Sequence, residues 1–484
     1  MKIYFEGTNS FYASQTNAGI SCSAATTTSP TSPPSPTLEI HFYAKSNRIR
    51  HILVAKSILG PGIGTLGICT SLIFHSGTIK ANGGTSNPGI GASSSGIIDL
   101  IEFEPTSLNN INLETFGGTN GAGIGTGLGE TPNKAYIKSI SIKGGFINVT
   151  GGNNSAAIGV GYGKVENSCR IDSITISGGE ISAWALWGAG IGCGYGHLQY
   201  SSTIGEIIIT NSKIIAFSLN YGAGIGGGYG YNTNASSIYL ISIKDSDITA
   251  TSYNGAGIGG GVGTGINNCF VDIIILDNSE IHASSTYGAG IGGGLSDIEN
   301  HDSGYVNEIR ILSGEIYASS DYSCGIGGCY TSVYNNGFVK KILIQSGQIF
   351  AYGGVGFSAI GNAQEIIISS GITKFLAASL TQYVIGCSFK NTYPEPYNFN
   401  CLSLNIFGKD LEPNIIDLEN VEFPSTVISE NPFKCVNKHQ QYRRTCGLNV
   451  EYLSLTFSAS FDLSRFINIQ SYLLILFSHD FVVL

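Results

Sequence analysis

The sequence is short of charged residues, which make up only 12% of its 484 positions. A coiled coil or a solvated helical bundle needs many charged surface positions, so this shortage argues against both. Lys and Arg (24) are outnumbered by Asp and Glu (33), and no run of five basic residues occurs. This acidic balance argues against a nucleic-acid-binding protein. Only 13 residues are proline, which argues against collagen and against a disordered Pro-Gly polymer.

The sequence also lacks the familiar signatures of catalytic and metal sites. Its eight histidines are scattered, and none has the spacing of a metal-ligand pair. No Lys-Ser or Lys-Thr follows the glycine-rich segments, such as residues 222–230, so a phosphate-binding loop is not indicated. A Gly-x-Ser-x-Gly nucleophile motif is absent as well. We therefore predict that the protein has no cofactor and is not an enzyme.

Long apolar runs are missing at both ends of the chain. The segment that starts at Met1 has no apolar run of the length of a signal peptide, so we expect none there. The patch Tyr472–Phe477 is too short to cross a bilayer, so no transmembrane segment is expected. Three glycosylation sequons begin at Asn148, Asn153 and Asn234, and they fit a secreted chain. We predict an extracellular or cell-surface location, with the cytoplasm as the alternative.

What the sequence has in excess is glycine, at 67 positions. Much of it belongs to a recurring Gly-Ile-Gly tripeptide or a close variant of it. Between Ile90 and Ile360 the central isoleucines follow one another at intervals of 33 to 35 residues, and the two outermost intervals are shorter. The central isoleucines are Ile63, Ile90, Ile124, Ile158, Ile191, Ile225, Ile258, Ile291, Ile326, Ile360 and Ile385. A regular internal period of this length indicates a stacked repeat architecture.

A second apolar column has the same period and precedes each tripeptide by 10 or 11 residues. It consists of Ile79, Leu113, Ile147, Ile181, Ile214, Ile248, Ile281, Ile316 and Ile349. Earlier still in each repeat lies an alternating pair such as Ile174 and Ile176, which is typical of a half-buried strand. Three short strands per repeat cannot close a core alone, so we predict an all-β protein, a parallel β-solenoid of about 10–11 coils of 33–34 residues.

The repeat divides the chain into three predicted parts. Residues 1–50 form an irregular N-terminal segment with a Thr/Ser/Pro linker at Thr26–Thr37, residues 51–390 form the solenoid, and residues 391–484 form a C-terminal cap or tail. Cys169, Cys193, Cys269, Cys324 and Cys329 are predicted to be small buried residues. A Cys435–Cys446 disulfide is left open. We predict one of three roles for the recurring glycines: a loop covers them, they adopt conformations that only glycine allows, or they form a docking face for another chain.

Two aromatic columns are the first candidate binding site. Four residues before the central isoleucine lie Trp187, Tyr221, Tyr287 and Tyr322, and four residues after it lie Tyr162, Tyr195, Tyr229 and Tyr330. Stacked aromatic residues stabilise parallel strands, and on an outer face they also make a platform for sugar rings or for a partner protein. Both interpretations stay open at this point.

A carboxylate column just before the second strand is the other candidate site. It contains Glu180, Asp247, Glu280 and Glu315, and Lys213 interrupts it. Carboxylates one coil apart lie close enough to share a cation, or to act as the acid and base of a polysaccharide lyase or hydrolase. The alternative is a solvated, solubilising edge.

The segments Tyr221–Gly228 and Tyr287–Gly294 both read Tyr-Gly-Ala-Gly-Ile-Gly-Gly-Gly. This motif resembles the glycine-rich repeats of large surface-type, adhesin-like proteins from protists and gut bacteria. The resemblance covers about residues 60–390 and implies a right-handed, pectin-lyase-like β-helix, and some related modules bind carbohydrate. We therefore predict a non-enzymatic scaffold that binds glycans or host and cell-surface proteins. A β-helix polysaccharide lyase or hydrolase, and a structural spacer or functionless relic, are the alternatives.

Overall fold

The structure, a computed structural model, describes residues 1–14, 17–22, 38–45, 51–106, 110–265, 268–295, 304–329, 337–354, 357–379, 385–386 and 403–406. Every regular element in these ranges is a β-strand. The first strands are β1 (Lys2–Phe5), β2 (Thr8–Ala13), β3 (Ile20–Ser21), β4 (Glu39–Ala44), β5 (Ile52–Ser57), β6 (Ile63–Thr65), β7 (Ile68–Phe74), β8 (Gly77–Asn82), β9 (Ile90–Ala92), β10 (Ile97–Phe103), β11 (Ile111–Phe116), β12 (Ile124–Thr126), β13 (Tyr136–Ile142), β14 (Phe146–Thr150) and β15 (Ile158–Gly159).

The central and last strands continue the same order. They are β16 (Cys169–Ile176), β17 (Glu180–Ala185), β18 (Ile191–Gly192), β19 (Ser202–Thr210), β20 (Lys213–Ser218), β21 (Ile225–Gly226), β22 (Tyr229–Gly230), β23 (Ser236–Lys244), β24 (Asp247–Ser252), β25 (Ile258–Gly259), β26 (Val262–Gly263), β27 (Phe270–Asp277), β28 (Ser279–Ser285), β29 (Ile291–Gly292), β30 (Val306–Ile311), β31 (Gly314–Ser320), β32 (Ile326–Gly327), β33 (Val339–Gly353), β34 (Ile360–Gly361), β35 (Ala363–Ser379), β36 (Ile385–Gly386) and β37 (Ser403–Ile406).

The strands stack as the coils of a right-handed parallel β-helix. In the coil Cys169–Gly192, β16 is the first strand, β17 the second and β18 the third, and the other coils follow the same plan. First and second strands form one 23-stranded sheet, third strands form a 12-stranded sheet, and β22 pairs with β26. Each strand pairs in parallel with its copy in the next coil, for example β16 with β19 and β18 with β21. The predicted solenoid is therefore confirmed.

The register of the third strands matches the sequence repeat. Ile158 pairs with Ile191, Ile191 with Ile225 and Ile225 with Ile258, and this series runs from Ile20 to Ile385. The second predicted column is also in register, because Ile147 pairs with Ile181 and Ile181 with Ile214. Apart from Ile20 and Ile385 at the two ends, which are partly buried, these isoleucines are almost fully buried, so each coil stacks isoleucine on isoleucine along the core. Burial of one such side chain contributes about 1.5–3 kcal/mol.

Glycine after the central isoleucine is required by both conformation and space. Gly226 has φ +142° and Gly259 has φ +138°, where an L side chain is strained. A Cβ atom on Gly226 would overlap the carbonyl oxygen of Gly259 in the next coil. These two glycines therefore have the second of the three predicted roles, a conformation that only glycine adopts readily. Because both are buried, they do not form a docking face.

The turns between first and second strands use residues that tolerate a left-handed conformation. Asn211, Asp245 and Asn278 have φ of 49°, 50° and 44° in three successive coils. The Asn278 side-chain amide donates a hydrogen bond of 2.6 Å to the Asp245 carboxylate, so part of this turn column forms a side-chain ladder.

The N-terminal boundary of the solenoid differs from the prediction. Residues 1–50 were expected to be irregular, but β1 pairs in parallel with β4, and β2 with β5. The linker Thr26–Thr37 lies outside the described residues. A disulfide that was not predicted joins Cys22, directly after β3, to Cys69 in β7. The five cysteines predicted to be buried are buried, whereas Cys435 and Cys446 lie outside the described part of the chain. Of residues 391–484 the structure describes only β37, which pairs with β35.

Candidate aromatic site

The two predicted aromatic columns come together because the chain folds back around each third strand. The Ala189 amide donates a hydrogen bond of 2.9 Å to the Cys193 carbonyl oxygen, which closes a tight turn around Ile191. The columns are also linked between coils, since the Tyr195 amide donates to the Asn154 carbonyl oxygen at 2.9 Å. Residues four before and four after the isoleucine are therefore neighbours on one side of the rod.

Five of the predicted residues form one surface group, which we name the aromatic cluster: Tyr162, Trp187, Tyr195, Tyr221 and Tyr229. All five side chains are half-buried. Ring centroids are 4.7 Å apart for Tyr162 and Tyr195, 4.9 Å for Tyr195 and Tyr229, and 4.8 Å for Tyr221 and Tyr229. The cluster thus spans three successive coils.

The tyrosine rings mostly cover one another's faces. Tyr162 and Tyr195 are stacked with 12° between their planes, and Tyr221 and Tyr229 with 29°. The spacing is close to the roughly 4.8 Å distance between strands, so the Tyr162 and Tyr195 ring faces point along the rod. Such stacking supports the interpretation that these tyrosines stabilise the parallel strands by packing on one another.

Trp187 has a different orientation from its neighbours. Its indole plane lies at 86° to the Tyr221 ring and 82° to the Tyr229 ring. Its plane also lies at 58° to the Tyr195 ring, so the indole is turned out of the planes of all three neighbouring tyrosines. Trp187 is therefore the ring of the cluster that is not stacked face to face on any of these tyrosines.

The hydroxyls of Tyr162 and Tyr195 are neutral at ordinary pH. Burial raises the pKa of Tyr162, and burial followed by the neighbouring tyrosines raises the pKa of Tyr195 further. Asn120 and Asn154 border the cluster, because the Tyr162 amide donates to the Asn120 carbonyl oxygen at 3.0 Å and the Tyr195 amide donates to the Asn154 carbonyl oxygen at 2.9 Å. Their side chains are joined, since the Asn154 side-chain amide donates to the Asn120 side-chain oxygen at 2.7 Å. The site therefore combines aromatic surface with neutral hydrogen-bonding groups.

Sequence reasoning missed two aromatic neighbours of the cluster. His197 stacks on Tyr231 with centroids 5.2 Å apart, and His197 also contacts the Tyr195 ring edge-on. Both His197 and Tyr231 lie six residues after a central isoleucine, so a third column at this spacing could have revealed them.

Two other predicted aromatic residues lie apart from the cluster. Tyr287 stacks on Tyr322 at 5.0 Å and meets Tyr253 edge-on at 5.3 Å. Tyr253 was not among the predicted site residues. Tyr330 lies outside the described residues, so its predicted place in the second column has no structural counterpart here.

The carboxylate column is present in the predicted register. Glu180 pairs with Lys213, Lys213 with Asp247, and Asp247 with Glu280, which in turn pairs with Glu315. The structure thus places one of these residues on each of five successive coils.

Several of these carboxylates have local partners. The Lys213 ammonium lies 3.8 Å from the Asp247 carboxylate. The His282 ring nitrogen Nε2 lies 3.1 Å from the Glu280 carboxylate. The Tyr317 hydroxyl donates to Glu315. Within the described ranges no group of three His, Cys, Asp or Glu residues has a metal-binding arrangement.

The comparisons with known proteins agree with this architecture. A family model described as "Beta helix repeat" matches residues 174–195, 207–229 and 241–262. No curated protein and no solved structure gives a significant match. The described residues contain no helix with the length and apolarity needed to cross a bilayer. Fold and family match together define a right-handed β-helix repeat protein. The matched segments include Trp187, Tyr195, Tyr221 and Tyr229 of the aromatic cluster.

Proposed function

We propose that this protein is a non-enzymatic, adhesin-like extracellular scaffold that binds carbohydrate at the aromatic cluster. The observation that carries the proposal is the orientation of Trp187, whose half-buried indole is turned by 58° to 86° out of the planes of the neighbouring tyrosines instead of being stacked on them. Sugar rings have apolar faces that pack on aromatic side chains, while their hydroxyls need neutral hydrogen-bond partners. The tyrosine hydroxyls and the Asn120–Asn154 pair are such partners.

The cysteines support the extracellular part of the proposal. Disulfides persist mainly in oxidising compartments, and Cys22 and Cys69 are joined and buried. Burial raises the pKa of Cys169 and Cys324 to about 12, which keeps both thiols protonated and protects them against oxidation.

The proposal is tested with the full chain on an array of glycans and host-surface proteins, followed by titration of tryptophan fluorescence. The chain has two tryptophans, so Trp184→Phe leaves Trp187 as the sole reporter. We expect Trp187→Ala to weaken glycan binding by about tenfold or more, as for a central aromatic contact. Trp184→Phe is the matched control, because Trp184 contacts Phe217 rather than the cluster, and it should bind normally. Absence of glycan binding by the intact rod would refute the proposal, and binding to proteins alone would replace carbohydrate with a protein partner.

A β-helix polysaccharide lyase or hydrolase is the second candidate. The observation in its favour is the register of Asp247 and Glu280 on neighbouring coils. If it is correct, Asp247→Asn and Glu280→Gln will each abolish cleavage of an acidic polysaccharide, whereas Glu180→Gln will not. No cleavage by the parent chain at any pH would remove this candidate.

A further inference from the structure

The three glycosylation sequons occupy different environments in the fold. Asn148 is half-buried within β14, where Glu114 and Ser182 are its register neighbours. Asn234 is half-buried and has φ 51°. Asn153 is exposed in the turn after β14. Asn153 is therefore the sequon asparagine whose side chain has space for a bulky group in the folded coil.

The turn around Asn153 is held by several hydrogen bonds, although its tip is exposed. The Ser155 amide donates to the Gly152 carbonyl oxygen at 3.2 Å, and the Asn154 amide donates to Thr119 at 3.0 Å in the preceding coil. The Ser155 hydroxyl is buried and donates to the Gly121 carbonyl oxygen at 2.6 Å. Since a sequon is recognised through its asparagine and its serine or threonine, enzymatic attachment must precede closure of this coil.

The backbone of this turn also contacts the aromatic cluster. The Trp187 amide donates a hydrogen bond of 3.0 Å to the Asn153 carbonyl oxygen, and the Tyr195 amide donates to that of Asn154. A group attached to the Asn153 side chain therefore begins one coil away from the Trp187 ring.

We propose that Asn153 carries an N-linked glycan and that this glycan covers part of the aromatic cluster. In the attachment step the Asn153 side-chain nitrogen forms a bond to the anomeric carbon of a sugar that is activated as a lipid-linked diphosphate. The bond from that carbon to the diphosphate oxygen breaks, the diphosphate leaves with the electron pair, and the amide loses one proton. The inference rests on the proposed extracellular function only in that the chain must pass through a secretory pathway.

The test produces the full chain in the secretory pathway of a eukaryotic cell. N-linked glycans are removed enzymatically in ¹⁸O-water, which converts each occupied asparagine to labelled aspartate, and the peptides are read by mass spectrometry. In the folded, secreted chain we expect the label at Asn153 and not at Asn148 or Asn234, because a glycan on either half-buried asparagine would prevent its coil from closing. Asn153→Gln should lose the label completely, while the control Asn148→Gln should keep it.

A second measurement tests the position of the glycan. In the Trp184→Phe background, acrylamide should quench Trp187 fluorescence less strongly in the glycosylated chain than after glycan removal or in Asn153→Gln. An unlabelled Asn153, or a labelled one with no change in quenching, overturns the inference. If the parent is labelled at Asn153 but Asn153→Gln, which lacks the covering glycan, binds nothing on the glycan array, the proposed function alone is refuted. If both hold, Asn153→Gln should bind array glycans more tightly than the parent.

Discussion

Replacement of one glycine between coils should be enough to destabilise the centre of the rod. In Gly226→Ala, the new Cβ would lie 2.9 Å from the carbonyl carbon and 3.1 Å from the amide nitrogen of Gly259, and it would overlap the carbonyl oxygen. All three atoms are backbone, so the coils must separate locally. This separation breaks the hydrogen bond of 2.9 Å from the Gly227 amide to the Gly259 carbonyl oxygen. It also stretches the hydrogen bond from the Ile225 amide to the Gly257 carbonyl oxygen.

The cost follows from these contacts. Two weakened backbone hydrogen bonds contribute about 2 kcal/mol. Forcing alanine to φ near +142° adds about 1–3 kcal/mol. We therefore expect Gly226→Ala to lower the free energy of unfolding of the central coils by about 3–5 kcal/mol.

The assay is hydrogen exchange of the peptides around Ile225 and Ile258, with thermal unfolding followed by circular dichroism. Gly7→Ala is the control, because Gly7 also has positive φ (+66°) but nothing lies within 4 Å of the added Cβ. It should cost only about 1 kcal/mol. Equal effects of the two substitutions, or unchanged protection at Ile225 in Gly226→Ala, would refute the argument that coil contact makes glycine obligatory.

Three further predictions concern groups away from the cluster. Burial, followed by the nearby His41, lowers the pKa of His75 below its ordinary value of 6.5. The stability that this histidine contributes is therefore complete above pH 6.5 and decreases as the pH falls below 6.5. Thermal unfolding between pH 7.5 and 5 should show this loss of stability, and His75→Gln should make the loss smaller. The Cys22–Cys69 disulfide closes a loop with a sequence separation of 47, so its reduction should lower the stability of the N-terminal coils by about 4 kcal/mol, measured as faster hydrogen exchange in β1 to β3 with unchanged exchange in β24. Burial raises the pKa of the Cys169 thiol to about 12 and that of the Cys193 thiol to about 11. Iodoacetamide at pH 8 should therefore label neither cysteine in the native chain and both after denaturation. Labelling of either thiol in the native chain would contradict its burial.

The sequence predicts the coil well because every coil must meet the same packing and backbone constraints, so the residues that meet them recur at a fixed period. Ile191 and Ile225 must stack, and their neighbouring glycines must leave room for the next coil, so both appear at a fixed period. The N-terminal coil was overlooked because its tripeptide reads Gly19-Ile20-Ser21, although Ile20 pairs with Ile63 as the period requires. With that coil unrecognised, the proximity of Cys22 to Cys69 could not be inferred.

The site was predictable only in part. Spacing placed Trp187 and Tyr195 in separate columns, and their meeting depends on the turn that the Ala189–Cys193 hydrogen bond closes. Ring orientation depends on side-chain rotamers, which a periodic pattern does not encode. The perpendicular indole of Trp187 therefore had no signal in the sequence.

The self-pairing register of the coils has a consequence for how the length of this protein can change. Because each third strand from β9 to β34 pairs with an equivalent Ile-Gly segment on both sides, removal of one whole repeat, such as residues 192–225, joins surfaces that already match. Each such deletion would shorten the rod by about 4.8 Å and leave the remaining core continuous. A deletion of half a repeat would instead place a first strand against a second strand and destroy the register. Rod length is thus a property that changes in whole-coil steps, so relatives of different reach could arise by gain or loss of complete repeats.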